Sequence, residues 1–276
     1  MRTVGRLLRI GPICVDTPTW EQALTTVESF LGERKARLVF FVNAHCVNVA
    51  ARDPHYREAL AGADCVFPDG AGVAIAGRLL GHPVPANLSG TDFVPALLAQ
   101  PGLAGRRVFL LGSRPGVAEA AAARLKARIP GIAIVGTHHG YFAEGKEEEI
   151  LRRLNLSGAE ILLVGMGVPR QEAWLARCRD QLRVDVAFAV GALLDFLAEV
   201  VPRAPLWMRR CRIEWVHRLA LEPRRLWKRY LLGNPAFLLR ILAEVIRRRW
   251  QRGSSQTDEL DDALSAPHAV REKAQP

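Results

Sequence analysis

The stretch AEILLVGMGVPRQEAWLARCRDQLRVDVAFAVG, Ala159 to Gly191, decides the fold class. An apolar run without strict alternation (Ala159–Gly167) leads into an amphipathic segment, PRQEAWLARCRDQL. A second apolar run follows (Val184–Gly191). Runs of that kind are strands buried on both faces, and the helix-length segment between them is a crossover connection. The same unit recurs outward. LVFFVNA (Leu38–Ala44), DCVFP (Asp64–Pro68), RRVFLLG (Arg106–Gly112) and GIAIVGT (Gly131–Thr137) read as further strands. PGVAEAAAARLKARI and EGKEEEILRRLN read as helices. The expected fold is α/β: a Rossmann-like, mostly parallel sheet flanked by helices, with a C-terminal helical appendage.

The pattern changes after Gly191. No further strand is legible, and two or three helices follow, broken at Pro223 and Pro235. The expected organisation is a catalytic core over 1–200, a basic helical appendage over 201–252 and a disordered tail over 253–276. The net charge of +10 is concentrated in the appendage. Arg203 to Arg252 hold thirteen Arg and one Lys against Glu214, Glu222 and Glu244, a net +11. The tail carries −3 and the first 202 residues +2. The basicity therefore needs a local explanation. Five cysteines without a C-x-x-C pair read as reduced thiols, Cys14 and Cys65 as core fillers. No apolar stretch is long enough to span a membrane, and the basic N-terminus reads as a first strand and not a signal peptide.

In an open parallel sheet, ligands sit at the carboxyl ends of the strands. Those loops here are VNAH (Val42–His45), PDGAG (Pro68–Gly72), LGSRPG (Leu111–Gly116), GMGVPRQE (Gly165–Glu172) and VGALLDF (Val190–Phe196). Small residues let backbone approach a ligand, and the helix N-termini behind them suit a diphosphate. Together they favour a nucleotide-type ligand. Neither a P-loop nor a complete G-x-G-x-x-G is present, which counts against a nucleotide triphosphatase and a dinucleotide-dependent oxidoreductase. The folded part has no D-x-D pair to hold a metal-bound nucleotide sugar. His138 and His139 are adjacent at a strand end and are expected to point opposite ways, so no metal site is expected there.

VNAHCVNVA, FPDGAGVAIAG, SGTDF, LLGSRPGVAEAAAARLKARIPGIAIVGTHHGYF, LLVGMGVPRQEAWL and GALLDF, followed by RAPLW and LALEPRRLWKRY, resemble in order the motifs of the WecG/TagA/CpsF glycosyltransferase family. The resemblance covers roughly Ile13 to Leu242. It implies an inverting, metal-independent enzyme without a cofactor. Such an enzyme moves a sugar from a UDP-sugar donor to a polyprenyl-diphosphate-linked acceptor, at the cytoplasmic face of the bacterial inner membrane. Family members serve cell-surface polysaccharide synthesis, adding N-acetylmannosamine, glucose or related sugars. By this resemblance Asp69 is the general base and Asn43 a sugar-site residue. Gly112, Gly165, Gly167, Gln171, Glu172 and Asp195 fall at the UDP-sugar site. Arg218, Arg225 and Arg229 face the diphosphates or the lipid acceptor, where an arginine fork is suited. Read from the residues alone, Asp69 is better explained as a helix cap, and Asp195 as a cap or brace.

Two positions depart from the family pattern. Many members have T-P-N where this chain has Phe41, Val42 and Asn43, and an arginine where it has Asn87. Both departures bear on which sugar is used. The basic segment has three readings: an anionic membrane surface as partner, ordinary core packing, and, last, nucleic acid, which is not expected as a partner. Apolar residues recur at Phe237, Leu238, Ile241, Leu242, Val245 and Ile246, one helical stripe. A non-enzymatic basic membrane-surface protein is the remaining alternative. Whether the chain forms a homo-oligomer is open at this level.

Overall fold

The computed structural model describes residues 4–265 except 143, 144 and 212; for 210 and 252–265 it describes the backbone alone. Six parallel strands form the central sheet: β3 (Arg37–Val42), β4 (Cys65–Pro68), β5 (Arg107–Gly112), β6 (Ala133–His138), β7 (Ile161–Gly165) and β8 (Val186–Ala189), in the order β4-β3-β8-β7-β5-β6. The N-terminal segment expected as a first strand is instead an antiparallel hairpin, β1 (Arg6–Ile10) and β2 (Ile13–Thr17), separate from that sheet. A left-handed Gly11 (φ +55°) sits in its turn.

Why the strands lack alternation is visible in the packing. Leu38, Phe40 and Val42 of β3 enter one core with Phe109, Leu111, Leu162 and Val164. Val39 and Phe41 enter a second core with Val108, Leu110, Ile161, Leu163 and Phe188. Successive side chains point to opposite faces, and both faces are covered by helices, so every position is apolar. The chain leaves β4 at one edge and returns through β5 on the far side of β3. That reversal makes a topological switch point between β3 and β8, and ligands bind at the carboxyl ends of the strands at such a point.

The C-terminal segment is helical throughout. Pro223–Trp227 runs through a π-helical turn, Lys228–Leu232, into the long helix Gly233–Ser265. Phe237 (1 % exposed) and Ile241 (0 %) of that helix lie in the first core. Each contributes about 1.5–3 kcal/mol through burial. Glu244 is buried on the same side and accepts the Gly11 N–H at 2.8 Å, while pairing with Arg248. The stripe read from the sequence therefore divides. Phe237, Ile241 and Val245 pack inward, whereas Leu238, Leu242 and Ile246 remain exposed on the next row. The helix continues through Ser265, into the stretch expected to be unstructured, and residues 266–276 lie outside those described.

Candidate active site

Asp69 follows the last residue of β4 and occupies the N-cap position of the helix Gly70–Leu79. A carboxylate there ordinarily turns back onto the free helix N–H groups. This one makes no capping bond. The neighbouring backbone is held by others. The Asp69 N–H donates to the Val42 carbonyl (2.8 Å), and the Gly70 N–H donates to Asn87 Oδ1 (2.6 Å). Gly70 is left-handed (φ +81°), the conformation that admits glycine without strain.

Asn43 follows β3 and divides its amide between two tasks. Its Oδ1 caps the helix Ala44–Ala50, accepting from the His45 and Cys46 N–H groups at 3.1 and 3.3 Å. Its Nδ2 donates to Asp69 Oδ2 at 3.3 Å. Burial pushes the Asp69 carboxyl above the ordinary carboxylate range. The Asn43 bond and the positive charges of Arg229 and Arg203 oppose that shift, and Asp92 reinforces it. His45 is pushed down to about 4 by burial and by Arg229, so it is neutral at pH 7.

The appendage supplies the charge opposite Asp69. Arg203 donates to Asp92 Oδ1 (2.9 Å) and to Thr91 Oγ1 (3.3 Å), and Arg209 lies 3.7 Å from the same carboxylate. Glu214 lies 3.9 Å from Arg203, its carboxyl raised by burial. The buried Nε donors of Arg203, Arg209, Arg218 and Arg229 find no acceptor among the described residues. Buried donors without acceptors are costly unless a ligand supplies them. Of the three arginines singled out in the sequence, Arg229 lies in the π-helical turn and its charge reaches Asp69. Arg218 and Arg225 instead share Glu222, at 3.3 and 2.6 Å, and Arg218 also lies over the Phe196 ring.

Across the crevice the glycines are packed against one another. A methyl at Gly112 (φ +150°) would overlap the Gly165 carbonyl, and one at Gly165 would stand 2.8 Å from the Gly191 oxygen. Gly112 and Gly165 thus let three strand ends close into one floor. Gly167 (φ +81°) has open space where a side chain would be. Gln171 and Glu172 are buried (2 % and 0 % exposed), so here they act on the floor from beneath. Gln171 Oε1 accepts from both the Gly167 and Gly191 N–H groups (3.1 Å each), and its Nε2 donates to Glu172 Oε1 (2.9 Å). Glu172 Oε2 has no hydrogen-bond partner among the described residues, and burial pushes this carboxyl up to about 7. Asp195 is a brace: Ser113 Oγ donates to its Oδ1 at 2.8 Å, tying the loop after β5 to the helix Leu193–Leu197.

His138 and His139 do not point apart. Strand β6 ends at His138, so the alternation stops there, and the two ring centroids are 4.5 Å apart. Both line a cavity of about 250 Å³ with Phe142, Lys146, Glu149 and Arg153. Among the described residues no three His, Cys, Asp or Glu side chains are grouped to hold a metal ion. Cys14 is exposed and not a core filler; Cys65 is buried. Phe41 lies in the second core beside Phe67, Phe93 and Phe188, its ring against Gly90 of SGTDF. Nothing in the sequence assigns Arg203 and Asp92 a role, although RAPLW and SGTDF mark them as motif residues; Asn87, a departure from the family pattern expected to bear on the sugar, here holds the Gly70 N–H.

Residues 8–251 match the sequence profile of the Glycosyl transferase WecG/TagA/CpsF family. The chain belongs to this family. An N-acetylglucosaminyldiphosphoundecaprenol N-acetyl-beta-D-mannosaminyltransferase of Bacillus spizizenii is 29% identical over 214 residues, covering 78% of this chain and 82% of that one. The protein of the same name from Staphylococcus aureus is 30% identical over 228 residues, covering 82% and 88%. As a WecG/TagA/CpsF glycosyltransferase, the chain presents its carboxylate–arginine crevice at the carboxyl edge of a Rossmann-like sheet.

Proposed function

We propose that this glycosyltransferase moves a sugar of the N-acetylmannosamine or glucose type from a UDP-sugar to a polyprenyl-diphosphate-linked saccharide, with inversion and without a metal. The observation that carries the reading is Asp69: a carboxylate at a helix N-cap that does not cap, raised by burial and faced by Arg203 and Arg229. The Asp69 carboxylate takes the proton of the acceptor hydroxyl. The hydroxyl oxygen attacks the anomeric carbon, the bond from that carbon to the diphosphate oxygen breaks, and UDP leaves with the electron pair. Arginine donors that lack acceptors are suited to the charge developing on the diphosphate. The names of the similar proteins specify a diphosphoundecaprenol-linked acceptor, which supports an acceptor of that class here.

A lipid-linked acceptor also fits a peripheral location at the cytoplasmic membrane face. No helix among the described residues is long and apolar enough to cross a membrane. The appendage exposes Trp207 (61 %), Trp250 (81 %), Leu239 and Leu242 among its arginines, a composition suited to an anionic headgroup layer. The test is a screen of UDP-sugars against a short-chain polyprenyl-diphosphate saccharide, with the product identified by mass and with EDTA present in parallel. Asp69→Asn should fold and bind UDP but lose turnover by roughly 10²-fold or more. Near-normal turnover in that variant removes Asp69 as the base. Activity lost to EDTA and restored by Mg²⁺ or Mn²⁺ removes the metal-independent step.

A further inference from the structure

We propose that Asn87 is a positioning residue for Asp69: by holding the Gly70 N–H it fixes the Asp69–Gly70 peptide and so keeps the carboxylate directed at the acceptor instead of the helix N-terminus. The proposal rests on Asp69 being the base. Asp69 has the extended backbone of an N-cap residue (φ −121°, ψ 123°), yet neither of its oxygens bonds a helix N–H. Asn43 at the start of Ala44–Ala50 and Asp53 at the start of Pro54–Ala61 both do so. Thr19 does so as well, whereas Ser89, the N-cap residue of Gly90–Leu98, pairs its hydroxyl with Thr91 instead; a polar N-cap side chain is thus turned from the helix when another contact holds it.

At Asp69 three contacts oppose a turn toward the helix. The Asp69 N–H is held by Val42 and the Gly70 N–H by Asn87, so the peptides on both sides of Asp69 are fixed. Asn43 Nδ2 holds Oδ2 from the side of β3. Leu88, next to Asn87, donates its N–H to the Pro68 carbonyl at 2.9 Å, which pins the Asn87 loop to the end of β4. Asn87 can do this because an amide carries an acceptor; a guanidinium or ammonium there could not take the Gly70 N–H. Asn87 is itself exposed, so its bond to Gly70 carries little of the packing. The charged groups acting on the carboxylate are Arg229, Asp92, Arg203 and Glu214.

Removing the Asn87 acceptor frees the Asp69–Gly70 peptide and lets the carboxylate swing onto the helix N-terminus. There the N–H groups and the positive end of the helix favour its charged form and withdraw it from the acceptor. Steady-state kinetics of the full chain across pH 4.5–8 read this directly. With the UDP-sugar and short-chain acceptor that support turnover, Asn87→Ala should lower kcat by roughly 10-fold with little change in KM, as expected for a displaced reactive group. Its acid limb of kcat should move to lower pH. Asn87→Asp keeps an acceptor and adds a negative charge, so it should recover most of kcat at pH 8 and move the acid limb to higher pH.

Asp69→Asn, assayed alongside, separates the two claims. Full turnover in Asp69→Asn overturns the base, and the Asn87 proposal with it. An inactive Asp69→Asn together with Asn87→Ala of normal kcat and unshifted acid limb overturns the Asn87 role alone. A fall in kcat without any shift of the acid limb, equal in both Asn87 variants, also overturns it, because a merely structural loss would look like that.

Discussion

Glu172 holds a carboxyl in a place where a charge is expensive, and Glu172→Gln should therefore stabilise the protein in a pH-dependent way. The side chain is fully buried; Oε1 accepts from Gln171 Nε2, and Oε2 has no hydrogen-bond partner among the described residues. A neutral acid tolerates that surrounding far better than a carboxylate. Burial raises the group from 4.5 to about 7. Between those values the folded chain keeps a proton that the unfolded chain has released. Stability then falls as pH rises through the window, and the loss is complete above pH 7. A displacement of that size corresponds to a loss on the order of 3 kcal/mol. Glutamine stays neutral at all pH, can still accept from Gln171, and has nearly the same volume. Urea unfolding of both chains at pH 5, 6, 7 and 8 gives the difference directly, since every other ionisable group is shared. The variant should match the wild type within about 1 kcal/mol near pH 5 and exceed it by on the order of 3 kcal/mol at pH 8. A difference that does not change with pH would refute the reasoning, and so would a variant that becomes less stable as pH rises.

Phe237→Ala should cost about 3–5 kcal/mol in the same unfolding experiment, because the ring is 1 % exposed within the first core; a loss under about 1 kcal/mol would mean that the long helix is merely laid against the sheet. Trp207→Ser combined with Trp250→Ser should weaken co-sedimentation with anionic vesicles at unchanged urea midpoint, since both rings are mostly exposed. Unchanged vesicle binding in that double variant counts against a membrane-facing appendage.

The sheet was legible because its rule is local. Leu38 to Val42 and Ile161 to Gly165 are apolar at every step, and only a strand covered on both faces demands that. The appendage was legible as helix but not as to its partner. A stripe at helical spacing states that a face will be buried; it does not state against what. Phe237 and Ile241 face the core, and Glu244, on their side, reaches the Gly11 N–H in a hairpin more than two hundred residues earlier. Nothing near Glu244 in the sequence signals that contact, and a buried glutamate goes against ordinary expectation for a charged residue. Just after the π-helical turn at Lys228–Leu232, which carries Arg229, comes another long-range contact: Asn48 Nδ2 donates to the Gly233 carbonyl at 2.7 Å.

Asp69 shows most plainly where a linear reading stops. Within the window Pro68–Gly72 the residue types are those of a cap, and its backbone adopts the cap conformation. Whether its oxygens are used depends on who else reaches the helix N-terminus. The answer lies in Asn87, seventeen positions away along the chain, and in Asn43 on the neighbouring strand end, whose amide is itself shared with a second cap. In the proposed mechanism the carboxylate is available because it carries no capping bond, and two asparagines from two loops hold it so, beside the parallel pairing of Val42 with Pro68. The same pairing brings Asn43 beside Asp69 and leaves the crevice above them open to the appendage arginines. Fold and site are thus linked through one register: shift β4 by a single residue against β3, and Asn43 would lose Asp69, since successive side chains point to opposite faces.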